Sequence, residues 1–526
     1  MNTANVRRQF LARLAGLGGA AVALSPGASS AAVALTGNAL NVRDCGAGGD
    51  GARPDTKALQ EAIDRCGRAG GGTVYFPAGR YLTGTLFLKS GVALYLDAGA
   101  VLLGSLNLQD YPTAIPAIRS YTDNYTEKSL LYAENEEQIS LQGHGVIDGQ
   151  GAAFKGPYKV RPYLIRLIAC RDVSVQDITL RNSPMWVQHF LACDGVRIEG
   201  ITVRSRCNHN NDGIDIDGCQ RVRISNCDIS SGDDAIVLKS TLNRPCKDVA
   251  ITNCVLSSAC NAFKLGTESN GGFENIVLSN CALYDTHLAG IALELVDGGS
   301  LDGVTISNVS MHNVNGPIFI RLGNRARPHQ EGTARPGLGT LRRINISGLQ
   351  AVGADRIGCS ITGLPGQPAE DIALENIRIS FAGGGPVEAA PRAVPEHPDK
   401  YPEYSMFGPL PAYGFYCRHV RGLRFSNMRL DVAASEARPA LVCEDVENLD
   451  VFGWNSAVAA APVLRFNEVR NAFLHGCRGP QHAAAFLRID GKSSERIKLL
   501  ANDLVDTQKA VELGEGVSEK AVAAGL

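Results

Sequence analysis

At 526 residues with 44% apolar content, the chain can bury a large core, and a solenoid could use this length as one domain. A formal net charge of −2 excludes the basic footprint that nucleic acid or an anionic membrane surface demands. Glycine is abundant at 58 residues and aromatics are only 6%, which suits many tight turns better than a helical bundle.

In chain order, residues 1–34 read as an export signal. Arg7 and Arg8 precede LARLAGLGGAAVAL, and small residues around Ala28 to Ala34 offer a cleavage site. The apolar run is shorter than the roughly 20 residues a membrane span takes, and paired arginines before it resemble a Tat signal. No second spanning candidate follows. Residues 35–526 are therefore read as one domain, periplasmic or secreted, without stable membrane insertion once the signal is removed. Next, TKALQEAIDRCGRAG follows Asp55, a candidate N-cap, and puts Ala58, Leu59, Ala62, Ile63 and Cys66 on one helical face. This predicts a helix that plugs the N-terminal end of a solenoid.

From Val173 one pattern recurs: VSVQDITL, VRIEGITV (Val196), VRISNCDI (Val222), VAITNCVL (Val249), IVLSNCAL (Ile276) and VTISNVSM (Val304). Period-two alternation means strand, and steps of 23 to 28 residues are too long for hairpins and too short for strand-helix units. The expected fold is all-β, a right-handed parallel β-helix, its hand following from the rule for parallel crossovers. Asparagine recurs at one place in the pattern, at Asn226, Asn253, Asn280, Asn308, Asn376 and Asn427, which predicts a side-chain ladder along the axis. Insertions break the register near 323–339 and 382–416. The second carries tyrosines, Phe415 and His419 that could wall a cleft. The 15 cysteines, many replacing aliphatics as at Cys227, Cys254 and Cys281, read as buried thiols. No Cys/His cluster has zinc-ligand spacing, and no metal or cofactor is expected.

The chemistry concentrates in NNDGIDIDGC and SSGDDAIVLKS, about one repeat apart, so stacked coils would bring Asp212, Asp233 and Asp234 together. Hydrolysis of a glycosidic bond by inversion needs a carboxylic acid and a carboxylate base about 6.5 to 9.5 Å apart. Crowding supplies both forms by raising one pKa while others stay ionised. Consecutive aspartates on a regular strand would face opposite ways, so a bulge or turn at Gly232 is expected. A calcium site or a solvated turn would use the same residue types. Asp215 and Asp217, alternating with Ile214 and Ile216, read as structural.

These segments resemble glycoside hydrolase family 28, the polygalacturonase group. Asn210, Asn211 and Asp212 match its Asn-Thr-Asp with one change, and Gly232, Asp233 and Asp234 match its Gly-Asp-Asp; NSPMW and FPAGRY also fit. The resemblance implies a pectin-lyase-like solenoid and hydrolysis of pectin-type polysaccharide or oligosaccharide. By the same resemblance Asp233 would be the general acid, while Asp212 and Asp234 would hold and deprotonate water. Two family motifs are absent: Asn261 stands where Gly-His-Gly is expected, and Ala292, Leu293 and Glu294 where Arg-Ile-Lys is expected. In one reading Lys239, Lys264, Arg321 and Arg325 replace the missing carboxylate-binding pair. In the other, Glu268 and Glu294 fit the pocket to a neutral or differently linked sugar, such as a rhamnose-containing branch. The insertions suggest a blocked cleft and exo action. The rival functions are a polysaccharide lyase or epimerase, with an Arg, Lys or Tyr base and often calcium, and a glycan-binding β-helix without catalysis.

Overall fold

Alternating apolar residues can bury one face of a strand only if the next coil stacks in register, and the whole chain is organised around that requirement. The computed structural model describes residues 39–119, 126–157, 160–457, 462–481 and 483–525; the stretch read as an export signal, residues 1–34, lies outside them. All named strands pair in parallel, and equivalent positions align from coil to coil. One such row runs Val173, Val196, Val222, Val249, Ile276, Val304, Ile344, Ile372, Leu423, Leu449, Ala472 and Ile497. Every member of the row is buried in one continuous apolar core. The architecture is the expected right-handed parallel β-helix. Among the described residues, no helix is long and apolar enough to cross a membrane.

The helix α1, Thr56–Arg68, buries Leu59, Ala62, Ile63 and Cys66 against the first coils. Asp55 does not cap it. Its carboxylate instead accepts from the Gly48 and Gly49 amides at 2.7 and 3.0 Å, tying the preceding loop to the helix start.

The recurrent asparagines have a conformational cause that the alternation does not reveal. At one corner of successive coils, Asp177, Gly200, Asn226, Asn253, Asn280, Asn308, Gly348, Asn376, Asn427, Gly453 and Gly476 all adopt φ between 53° and 66°. This left-handed conformation selects Asn, Asp and Gly over other residues. The predicted amide ladder is only partly made: Asn308 donates to Asn280 at 3.1 Å and Asn427 to Asn376 at 2.7 Å. Asn280 reaches Thr252 instead of Asn253.

Along the row from Val173, the two insertions fall where aligned positions are furthest apart in sequence, between Val304 and Ile344 and between Ile372 and Leu423. The second ends earlier than expected, because strand Phe415–Val432 begins at Phe415, whose side chain is interior. The cysteines form no disulfide; Cys227, Cys254 and Cys281 stack inside the core, each thiol donating to the carbonyl two residues before it.

Candidate active site

Coil stacking sets Asp212, Asp234 and Asn261 at one position of three successive coils. The Gly213 amide donates to Asp234 O at 2.9 Å and the Ala235 amide to Asn261 O at 2.9 Å. Asp233 and Asp234 lie in the turn between strands Asp228–Ser231 and Ile236–Ser240, so neither obeys strand alternation. The Ser231 and Ser258 hydroxyls both donate to Asp233 O at 2.6 Å and fix this turn. Gly232 suits the crowding there, since a Cβ would sit 3.0 Å from Asn208 O and 3.3 Å from the Arg206 Cα. As a result, one carboxyl oxygen from each of Asp212, Asp233 and Asp234 lies within 4.8 Å of the others.

Two buried lysines thread this acidic cluster. Lys239 Nζ lies 3.9 Å from Asp212, 3.5 Å from Asp215 and 3.8 Å from Glu268, with its charge 4.7 Å above the Trp186 ring. Lys264 Nζ lies 3.3 Å from Asp234, 3.6 Å from Glu294 and 3.2 Å from the Tyr401 hydroxyl. Asn261, in the place of the family histidine, donates to Asp234 Oδ1 through both its amide and its Nδ2, at 3.1 and 2.8 Å.

Charge is regulated by burial. Desolvation pushes the Asp212, Asp215, Asp233 and Glu294 carboxyls up, reinforced at Asp212 by Asp233 and at Asp233 by Asp234. Glu268 goes the other way: burial raises it, but Lys239, Arg327 and Arg325 together outweigh that and hold it down. Both lysines stay charged because surrounding carboxylates, led by Glu268 at Lys239 and Asp234 at Lys264, outweigh their desolvation. The cluster therefore holds protons, which a general acid requires. Calcium takes 6–8 oxygen ligands. Here two ammonium groups already lie beside the aspartates, so the donor set fits a cation poorly.

Of the nominated binding residues, Lys239, Lys264, Glu268 and Glu294 join the cluster. Arg325 lies one layer out, bonded to Asp297 and to Thr267 Oγ1 at 3.0 Å. Arg321 is not brought to the aspartates. Its buried guanidinium donates to Thr362 Oγ1 and to the Gly363, Glu396 and His397 carbonyls, so it anchors the second insertion. Phe415 and His419 do not wall the cleft either: Phe415 is core, and His419 sits between Asp445 at 2.7 Å and Glu396 at 3.1 Å. Asp217 is structural as expected, accepting from Thr241, whereas Asp215 faces Lys239.

Sequence reasoning missed Asp215, Trp186, Tyr401, Glu403 and the Arg327–Glu268 pair at 2.6 Å. Tyr401 and Glu403 come from the second insertion. Tyr404 fixes that segment by packing into a buried apolar cluster and donating to Asp355 at 2.7 Å. Glu403 Oε2 is buried without a hydrogen-bond partner, and burial pushes its carboxyl up to about 7, Lys264 opposing and Asp234 and Asp233 adding to the rise. A carboxyl raised on folding binds more protons folded than unfolded. It therefore lowers stability as pH rises from the unfolded value, near 4.5, to about 7, and adds no slope above that. Glu403→Gln is expected to flatten stability over that window, measured by urea denaturation from pH 4.5 to 7.5; an unchanged slope would place the titration elsewhere.

The same insertion closes one end of the cleft. The row that holds Lys264 continues through Ala292, Phe319, Ser360, Tyr416 and Val442. Val394, Phe407, Leu410 and Ala412 from the insertion pack onto it in one apolar cluster. In a separate apolar cluster Ala114 and Ile118 pack against Tyr132, Ile168 and Leu191.

A parallel β-helix with three converged aspartates on one face is the architecture of a carbohydrate-active enzyme. The sequence profile of Glycosyl hydrolases family 28 matches residues 66–396, and the chain belongs to that family. A probable polygalacturonase of Vitis vinifera is 36% identical over 227 residues, 40% of this chain and 46% of that protein. An exo-poly-alpha-D-galacturonosidase of Dickeya chrysanthemi is 30% identical over 251 residues, 38% of this chain and 41% of that protein. The matches thus span less than half the length of these relatives. The crystal structure of an exopolygalacturonase from Thermotoga maritima superposes with a TM-score of 0.61 at 21% identity, covering 75% of this chain and 91% of that one, a likeness of fold.

Proposed function

We propose that this chain is an exo-acting glycoside hydrolase of pectin-type polysaccharides or their oligosaccharides, working outside the cytoplasm after export. The observation that carries the reading is the convergence of Asp212, Asp233 and Asp234 within 4.8 Å in a cleft covered beyond the Lys264 coil. Asp233, half-exposed and pushed toward its protonated form, protonates the leaving oxygen. Asp212 and Asp234 hold the attacking water, Asn261 and Lys264 fixing Asp234 as an acceptor. The covered row supports exo action, because a glycan cannot continue past it. Arg321, Arg325, Lys239 and Lys264 are all engaged by protein partners, which favours a neutral sugar at the acidic centre.

One observation favours a second reading of the stereochemistry. Oxygens within 4.8 Å are closer than the roughly 6.5–9.5 Å usual for inversion and nearer the 5–5.5 Å of retaining enzymes. Inversion stands here because two side chains, Asp212 and Asp234, share the water, so it need not occupy a gap between a single acid and a single base. The test of the function is a product profile on homogalacturonan, rhamnogalacturonan and their oligomers, with and without chelator. Short products released from the first minutes, with new reducing ends and no unsaturated sugar, are expected. Unsaturated or calcium-dependent products would assign a lyase, and no turnover of any glycan a binding protein.

A further inference from the structure

Beside the aspartates lies a second region of quite different charge. A cleft of about 970 Å³ is walled by Lys155, Arg161, Arg206 and His209, and it meets the catalytic turns at Asn210 and Gly232. No aspartate or glutamate lines it among the described residues. The adjoining centre, in contrast, gathers Asp212, Asp215, Asp233, Asp234, Glu268 and Glu294 around Lys239 and Lys264, with Arg327 paired to Glu268.

The lysine and the two arginines of the cleft are not equivalent. Arg161 is buried and builds the wall, donating to the Pro184 and His209 carbonyls at 2.7 Å and to Asn210 Oδ1 at 3.1 Å. Arg206 is exposed and held from behind: Nε donates to Ser230 Oγ at 2.9 Å and Nη2 to Ser257 Oγ at 2.6 Å. Neither partner is charged, and among the described residues no carboxylate pairs with it. Lys155 is exposed and lines the same cleft, whose described residues give it no carboxylate partner. A preorganised guanidinium and a mobile ammonium facing one space suit a carboxylate ligand.

We propose that this cleft is a subsite for a uronate residue of the same glycan, its carboxylate met by Lys155 and Arg206, a few sugars or fewer from the bond cleaved at the aspartates. The proposal rests on the hydrolase reading and extends it. With the row beyond Lys264 covered, the glycan leaves the centre through this cleft. A substrate carrying a neutral sugar at the acidic centre and a uronate beside it satisfies both regions.

The experiment compares the full-length enzyme with the Lys155→Ala/Arg206→Gln variant on an acidic pectic oligosaccharide and on its carboxyl-reduced, neutral counterpart. The expected result is a rise in KM of about tenfold on the acidic glycan, the size of one or two lost charge-assisted contacts, with kcat changed less than about twofold. KM on the neutral glycan is expected to stay put, as is KM for Lys247→Ala, a control on the outer face paired with Glu274. The salt dependence of KM should weaken in the variant. An unchanged KM on the acidic glycan, or equal losses on both glycans, would overturn the subsite. If the wild type turns over neither glycan, the hydrolase reading fails, and calorimetric binding of the acidic oligosaccharide to wild type and variant decides the subsite alone: weaker binding by the variant sustains it, equal binding overturns it.

Discussion

Asp233→Asn is expected to lower kcat by about a thousandfold, within the 10²–10⁴ range of general acid catalysis, while leaving the melting temperature near that of the wild type. The separation follows from where Asp233 makes its structural bonds. Its backbone carbonyl takes the Ser231 and Ser258 hydroxyls, and its side chain accepts from the Cys260 thiol and from the Asp234 amide at 2.9 Å. An asparagine oxygen can accept the bond from the Asp234 amide, so the turn survives, but an amide cannot hand a proton to a leaving oxygen. Asp234→Asn should behave differently. It removes charge beside Lys264 and disturbs the Asn261 contacts, so stability falls along with activity. Activity retained by Asp233→Asn would remove it from the acid role.

Lys264→Met is expected to destabilise the fold by about 3–5 kcal/mol, because it strands Asp234 and Glu294 in the interior without their shared cation. Glu294 is fully buried and neither of its oxygens has a hydrogen-bond partner, so Lys264 is its chief compensation. Adding Glu294→Met to Lys264→Met should recover part of the loss, with a coupling energy of about 0.5–3 kcal/mol in a double-mutant cycle read by urea denaturation. Additive losses would mean that the pair does not interact. Because the family's basic motif is replaced at this coil, the same cycle asks whether Glu294 and Lys264 have been substituted as a unit.

The fold was largely legible because a solenoid repeats its instructions. Val173 to Val304 spelled the register, and the structure aligns the same residues. Local readings failed where a residue type has two physical uses. Asp55 had N-cap chemistry in a helix-start position but serves the preceding loop amides. The asparagines had ladder spacing, but the left-handed corner is what selects them. The aspartates were legible from spacing, since adjacent coils bring equal positions together. Partners from distant insertions were not: Tyr401 and Glu403 reach the site from more than a hundred residues downstream of Lys264, and no periodicity predicts where a loop returns. Arg321 shows the converse. A cation on the right strand was legible, but its capture by the carbonyls of Glu396 and His397 depends on that same loop.

The central claim, hydrolysis by water held between Asp212 and Asp234, is tested most directly by proton NMR of the earliest product from a defined pectic oligosaccharide. The anomer of inverted configuration should appear first and then mutarotate. A retained anomer would assign a glycosyl-enzyme intermediate, and a 4,5-unsaturated sugar would assign elimination; either would contradict the account.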